Sequence, residues 1–247
     1  MTAGAELALL ERLELVNSVV LVEGGEQDED SRLYVGDASA DGGVIQVRAN
    51  SVFTVSAGAS VEIGAPGSPY GDVIVEATAP SSERAPVLVT GEGSSLRAWG
   101  NVAVGLYESG VAAVEDGGEL SAAQVALGVA PGTSGDLTIS GAGSRLTAGV
   151  DVGGTTGAAG TLQTEDGAVA EILERLVVND MGAVWVIGDS AVVVGSGAVA
   201  PQPGSLVIGP GGELWGTGSI FTNRMNNGGI DTFGTIYPGS SPGTLTV

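Results

Sequence analysis

One five-residue phrase recurs along this chain at nearly constant spacing, and that spacing leaves few folds open. The phrase is a glycine followed by alternating apolar or small residues: GVAAV from Gly110, GDLTI from Gly135, GTLQT from Gly160, GAVWV from Gly182, GSLVI from Gly204 and GTLTV from Gly243. SVFTV from Ser51 and APVLV from Ala85 join the series once the leading glycine is relaxed. Starts at residues 85, 110, 135, 160, 182 and 204 are separated by 25, 25, 25, 22 and 22 residues. Within a phrase the third and fifth positions, such as Leu137 and Ile139, alternate with their neighbours, the period of a strand with one buried face. Six or seven residues later an apolar residue returns, as in Val55 then Val61, Val89 then Leu96, Val114 then Leu120, Ile139 then Leu146, Val186 then Val192, and Ile208 then Leu214. A second strand therefore follows each phrase across a turn.

Units of this size hold two or three short strands and cannot bury an apolar face alone; stacked, each strand gains a parallel partner above and below. A leucine-rich repeat would carry an LxxLxL phrase, and a propeller blade needs ~40 or more residues. Neither pattern is found, so the expected fold is an all-β, right-handed parallel β-helix, the hand following from the near-universal hand of parallel crossovers. Ten or eleven rungs at ~4.8 Å each predict a rod on the order of 50 Å long.

A finer similarity repeats every 50 residues: GEGSSL at 91–96 matches GAGSRL at 141–146, and Glu115-Asp116-Gly117 matches Glu165-Asp166-Gly167. Like charges on successive rungs would lie ~5 Å apart, whereas alternate rungs separate them by ~10 Å, near the Debye length. Two rungs make the larger unit.

The regularity fails in two places. Residues 1–33 read as an amino-terminal cap, with Leu9, Leu13 and Val16 on one face of a short helix and Val19 to Val22 as strand, ahead of a β-helix over 34–247. Residues 65–86 contain Pro66, Pro69, Pro80 and Pro86, which forbid uninterrupted ladder pairing. That stretch reads as a loop insertion with a short strand at Val73 to Val75. Excursions from a regular scaffold carry contacts, so Tyr70, Asp72 and Arg84 are interaction candidates. Leu245 and Val247, in the closing strand phrase, are candidates for pairing with a second chain.

The chain has no histidine and no cysteine, which removes Ser-His-Asp, Cys-His, thiolate-metal and histidine-metal chemistry together. Its 29 acids against 8 bases, a formal charge of -21, would repel nucleic-acid phosphates and anionic lipid. No apolar run reaches the ~18 residues of a membrane span. Asp37, Asp41, Glu115, Asp116, Glu165 and Asp166, with Asp180 and Asp189, offer hard oxygen ligands near glycine turns, which makes calcium the one cofactor to weigh. The GGxGxD phrase of calcium-binding β-rolls is absent, and solvated acids are the favoured reading.

Catalysis finds little support in these residues. Glycoside hydrolysis needs two carboxylates ~5 to 10 Å apart, a separation Glu115/Asp116 and Glu165/Asp166 satisfy, but acids at a glycine turn face water and lack a desolvated site. Arg97 and Arg145 have no carboxylate nest between them for a lyase. Trp99, Trp185 and Trp215 read as isolated surface or corner residues at different repeat positions.

GSRLTAGVDVGG at 143–154, GTLQTEDGA at 160–168 and the closing NNGGIDTFGTIYPGSSPGTLTV at 226–247 resemble the repeats of bacterial autotransporter passenger domains and related large surface proteins. The likeness covers residues 85–247, and Pro238 to Thr246 matches the glycine-rich phrase that often closes a block in those families. It implies a non-catalytic β-helical stalk on the outer surface of a Gram-negative cell, serving adhesion or self-association. A protein or glycan on a cell surface, or a second copy joined through the β-helix ends, would be its partner. The 247 residues hold no translocator barrel and no signal peptide, which makes the chain an excised segment or a relative anchored differently. The alternatives are a homopolymeric fibre subunit and a carbohydrate-active β-helix enzyme.

Overall fold

The computed structural model describes residues 6–9, 12–24, 31–35, 43–66, 71–77, 85–154, 157–195, 205–222 and 230–238. Among them there is no helix; every regular element is a strand, and every strand pairing is parallel. Coil 1 is β1 (Glu6–Leu9), β2 (Arg12–Val16) and β3 (Val19–Glu23); coil 2 is β4 (Arg32–Val35), β5 (Val44–Arg48) and β6 (Val52–Ser56). Coil 3 is β7 (Ser60–Ile63), β8 (Asp72–Glu76) and β9 (Val87–Thr90); coil 4 is β10 (Ser95–Ala98), β11 (Asn101–Val104) and β12 (Gly110–Glu115). Coils 5 to 7 use two strands each: β13 (Glu119–Leu127) and β14 (Ser134–Ser140), β15 (Arg145–Val152) and β16 (Ala159–Glu165), β17 (Val169–Val178) and β18 (Gly182–Val186). Coil 8 is β19 (Ala191–Val194), β20 (Ser205–Ile208) and β21 (Glu213–Gly216), and coil 9 is β22 (Ser219–Thr222), β23 (Ile230–Thr232) and β24 (Thr235–Pro238).

Three ladders run along this β-solenoid. The first strand of each coil forms one, the second strand another, and the third strand a separate 9-stranded sheet, β3 to β24. The long strands β13, β15 and β17 bend through the corner between the first two ladders, joining them into a 15-stranded sheet. Nine strands deep at ~4.8 Å per coil, the described stack is about 40 Å long. The expected ten or eleven rungs overshot because the coils are unequal. Register along the third ladder runs Val22, Val55, Val89, Val114, Ile139, Thr164, Val186, Gly216, Pro238, so coils of 33, 34 and 30 residues stand beside those of 25 and 22.

The core is one column of Val, Ile, Leu and Ala along the axis. Leu137, Ile139, Leu146, Val150, Leu162 and Ile172 are fully buried, because period-two alternation sends every second side chain inward and the next coil covers it. The leading glycine of the phrase has a steric cause. A Cβ on Gly110, Gly135, Gly160 or Gly182 would lie 2.2, 2.0, 2.4 or 2.3 Å from the carbonyl oxygen of Val75, Val104, Leu127 or Val152 in the coil before it. Only glycine lets the chain cross that close from the second ladder into the third.

The two-coil repeat has a hydrogen-bonding cause as well as the expected electrostatic one. Glu115, Ser140 and Glu165 do share one column, with the acids two coils apart. Beyond this, the turn leading to the first ladder alternates in length, with six residues from Val55 to Val61, seven from Val89 to Leu96, six from Val114 to Leu120 and seven from Ile139 to Leu146. The serine of each long turn caps the short turn before it: Gly58 N–H donates to Ser94 Oγ at 3.0 Å and Gly117 N–H to Ser144 Oγ at 2.9 Å. In the short turns Asp116 and Asp166 take left-handed backbone, φ 52 and 55, which aspartate tolerates better than most residues.

Three expectations change. The helix over Leu9, Leu13 and Val16 is not formed; β1 and β2 occupy that stretch and pair in register with β4 and β5. Residues 65–86 are not one excursion, since β8 sits in the second ladder between β5 and β11 with Val73 and Val75 fully buried. Its prolines flank that strand. The phrase at Gly204 belongs to the second ladder, where β20 pairs with Arg175 to Val178, and the successor of β18 is β21. Alternation is the same in every ladder, so periodicity alone could not separate them.

Candidate binding face

The outward positions of the first ladder form two columns: Arg32, Ser60, Ser95, Glu119, Arg145, Val169 and Tyr34, Glu62, Arg97, Ser121, Thr147, Glu171. Taken coil by coil from 2 to 7, the charges alternate in sign: Arg32, Glu62, Arg97, Glu119, Arg145, Glu171. Neighbouring coils thus meet as opposite charges, which stabilises cross-strand pairs. Arg145 Nη1 reaches Glu171 Oε1 at 2.8 Å, and Arg97 Nε donates to Ser121 Oγ at 3.4 Å. All six described arginines, Arg12, Arg32, Arg48, Arg97, Arg145 and Arg175, lie on strands of the 15-stranded sheet. Three of them, Arg32, Arg97 and Arg145, are on this face and are matched there by Glu62, Glu119 and Glu171, a local balance in a chain of charge -21.

Trp99 closes one side of the face. Glu62 Oε1 accepts from its Nε1 at 2.6 Å, and the Arg97 guanidinium stands 5.4 Å over its ring. Beside it lies an open recess of ≈ 400 Å³ lined by Arg97, Trp99, Ser121, Ala123, Thr147 and Leu173. A deeper one of ≈ 650 Å³ follows, lined by Ala123, Gln124, Gly149, Leu173, Glu174 and Arg175. A third of ≈ 250 Å³ extends the other way over Arg32, Tyr34, Ser60 and Glu62. They share lining residues and form a groove along the rod axis.

The deep recess comes from unequal corners. From the last inward residue of the first ladder to the first of the second, coil 4 takes four steps (Ala98 to Val102), coil 5 three (Ala122 to Val125), coil 6 two (Ala148 to Val150) and coil 7 four (Ile172 to Leu176). The register shifts on either side of the shortest corner, where Ser121 to Gln124 of coil 5 and Ile172 to Leu176 of coil 7 each carry extra residues against Thr147 to Val150. Gly149 forms the floor, where a Cβ would meet Gln124 Oε1 at 2.4 Å. Bulges re-aim side chains and favour binding rims.

The candidate residues named from sequence fall elsewhere. Glu115 and Glu165 are half-buried and Asp116 and Asp166 exposed, strung along the edge of the third ladder. Glu165 Oε2 accepts from Gln163 Nε2 at 2.8 Å, and Asp180 and Asp189 are exposed at separate turns. Among the described residues no three acids gather as a metal site. Asp72 Oδ1 accepts from the Asn101 backbone N–H at 2.7 Å and from its Nδ2 at 3.3 Å, which ties β8 to β11. Asp37, Asp41, Tyr70, Arg84, Leu245 and Val247 lie outside the described residues.

The second ladder carries a polar cluster. Fully buried Glu76 accepts from Gln46 Nε2 at 2.7 Å and pairs with Arg48 Nε at 3.2 Å through Oε2, while its Oε1 has no hydrogen-bond partner.

Trp185 and Trp215 are not isolated. They stand in register on β18 and β21 with Tyr237 next on β24, and their rings stack, centroids 5.0 Å apart at 8° and 3.7 Å apart at 15°. The misassigned phrase at Gly204 hid this column. Ring faces are turned toward one another rather than outward, so the column supports coils 7 to 9 and offers no platform for a sugar ring.

No family model, curated protein or solved structure matches this chain.

Proposed function

We propose that the chain is a non-catalytic, structural and adhesive segment of an exported bacterial surface protein, and that the groove along the first ladder is its adhesive face. The observation that carries this reading is the continuity of three parallel ladders through nine coils. A rod whose interior strands are hydrogen-bonded on both sides transmits force and holds a lateral surface at fixed spacing. The groove supports an extended ligand rather than a compact one. It crosses coils 2 to 7, about 24 Å along the axis, and offers arginine, glutamate, hydroxyl and indole groups in sequence. A glycan or an extended polypeptide advances along such a surface with a polar contact at each coil. The resemblance of residues 85–247 to autotransporter passenger repeats supports the outer-surface location.

Two measurements test it. Beads coated with the protein are passed over arrayed glycans and extracellular-matrix proteins, with release of reducing ends followed in parallel. Retention that falls about tenfold for Trp99→Ala and Arg97→Ala, with no cleavage, is the expected result; the drop corresponds to ~1.4 kcal/mol. Retention no better than that of an unrelated acidic protein, or steady glycan cleavage, overturns it. Antibody labelling of the expressing cells should be complete without permeabilisation, and labelling only after permeabilisation would remove the surface assignment.

A further inference from the structure

The charges of the first ladder repeat with a period that selects among extended ligands. Glu62, Glu119 and Glu171 stand on coils 3, 5 and 7, and Arg32, Arg97 and Arg145 on coils 2, 4 and 6. Coils are ~4.8 Å apart, so each sign recurs every ~9.6 Å along the axis. The aromatic rings keep the same step: Tyr34 of coil 2 lines one recess and Trp99 of coil 4 the next. A polyproline II helix turns once in three residues, about 9.3 Å, so every third side chain faces one way at nearly this spacing. The mismatch of ~0.3 Å per turn stays below ~1 Å over the groove. A β-strand presents one face every ~6.7 Å and is out of step after one repeat. The alternation of sign decides between chain chemistries. A glycan whose charged groups are carboxylates or sulfates meets the arginines but sets like charge against Glu62, Glu119 and Glu171, whereas a polypeptide supplies both signs.

We propose that the groove binds a basic, proline-rich polypeptide in the polyproline II conformation, with Lys or Arg at every third position laid against Glu62, Glu119 and Glu171. This rests on the reading of the groove as the adhesive face and names its partner. The field of a chain of charge -21 attracts a cationic ligand and repels an acidic one. The ion pairs already in the groove do not oppose it. Arg145 and Glu171 meet at 2.8 Å with side chains 48 % and 30 % exposed, and an exposed pair holds its partners weakly. Trp99 is fixed by the bond from its Nε1 to Glu62, and a proline ring packs on such an indole at small entropic cost, because the polyproline helix is formed before it binds. Ser121 accepts from Arg97 Nε and keeps its own O–H, with the Thr147 hydroxyl one coil on, to donate to carbonyls that a polyproline helix leaves unbonded.

Fluorescence anisotropy of labelled synthetic peptides with the full chain tests it. The probe is about four Lys-Pro-Pro triplets. Its controls are Glu-Pro-Pro triplets, Lys-Pro-Pro-Pro quartets of equal charge, whose lysines stand ~12.4 Å apart, and a flexible glycine-serine peptide with lysine at every third position. The expected result is that the triplets bind about tenfold more tightly than the quartets or the flexible peptide, that the glutamate peptide does not bind, and that binding weakens from ~0.05 to ~0.5 M salt. Glu119→Gln with Glu171→Gln should lower affinity for the triplets about tenfold, while Glu115→Gln, on the third ladder, should leave it unchanged. Equal affinity for triplets and quartets, or undiminished affinity in the double variant, overturns the inference. If no peptide binds while arrayed glycans are retained through Trp99 and Arg97, the adhesive reading stands and this inference fails; if nothing is retained, both fail.

Discussion

Coils 4 to 7 and the two ends of the stack use the same strands, the same inward residues and the same ladders, but they differ in their neighbours and in their connections. In the middle, every inward side chain has a coil above and below, and steps along the third ladder are 25, 25 and 22 residues. Toward the ends the steps turn irregular, 33 and 34 on one side and 30 then 22 on the other, and Leu13, Val20 and Ile236 on the outermost described coils are only partly buried. Stability in a solenoid is close to a sum of coil and interface terms, so each coil's contribution depends on how many interfaces it has. One residue type should therefore have two different values in this molecule.

The largest expected contrast is a core truncation. Leu162 is fully buried in coil 6, and Ile220, 5 % exposed, is the corresponding kind of residue in coil 9. Leu162→Ala removes packing from both sides and should cost about 3 to 5 kcal/mol, whereas Ile220→Ala, on the outermost described coil, should cost about 1 to 2 kcal/mol. Urea unfolding gives the totals, and hydrogen exchange gives their location. Ile220→Ala should release amides of coils 8 and 9 alone, and Leu162→Ala those of every coil. Equal losses would mean that the stack melts as one unit and that its ends are not ends.

A second contrast adds atoms instead of removing them. The Cβ of Gly160→Ala would lie 2.3 Å from Gly153 N and 2.4 Å from Leu127 O, both backbone and both held by further coils. The Cβ of Gly234→Ala would lie 2.3 Å from Gly212 O, but its coil is the outermost described and can shift. The expected costs are about 3 kcal/mol and about 1 kcal/mol. Thermal melts of the two variants check it, and a Gly160→Ala melt close to wild type would show that the corner between the second and third ladders is not sterically tight.

The same contrast explains what could be seen in the sequence. Parallel stacking was legible because equal coils repeat their pattern: Val89, Val114, Ile139, Thr164 and Val186 stand in one register. Where connections lengthen, one apolar alternation looks like another. Leu206 and Ile208 were placed in the wrong ladder for that reason, and with them the stacking of Trp185 on Trp215 was lost. The proline content of 65–86 concealed β8, although Val73 and Val75 were recognised as strand. The groove could not be read at all from periodicity. Its depth rests on differences of one or two residues between neighbouring corners, at Gln124, Gly149 and Leu173 to Arg175, and these acquire meaning only after every ladder is assigned. Arg97 and Arg145 are visible in the sequence as bases, but their partners Trp99, Glu62 and Glu171 come from cross-coil register.

The smallest effect tests the interlock between turns. Ser144 Oγ accepts the Gly117 N–H at 2.9 Å and donates to Ser140 O at 2.6 Å while almost fully buried. Its counterpart toward the end is Thr217, whose exposed Oγ1 accepts the Gly188 N–H at 3.0 Å. Removing the buried hydroxyl leaves the part-buried Gly117 amide without its acceptor, so Ser144→Ala should cost about 1 to 2 kcal/mol; at exposed Thr217→Ala water replaces the lost acceptor and the loss should be a few tenths. The Gly117 amide should exchange faster in Ser144→Ala with its neighbours unchanged. If the two-coil repeat exists to seat that serine, replacing Ser94 as well should cost about the sum, since the two sites lie two coils apart and share no partner. A double loss well beyond the sum would show that the long turns cooperate along the edge, and the alternating turns would then be one continuous structure rather than a series of independent clasps.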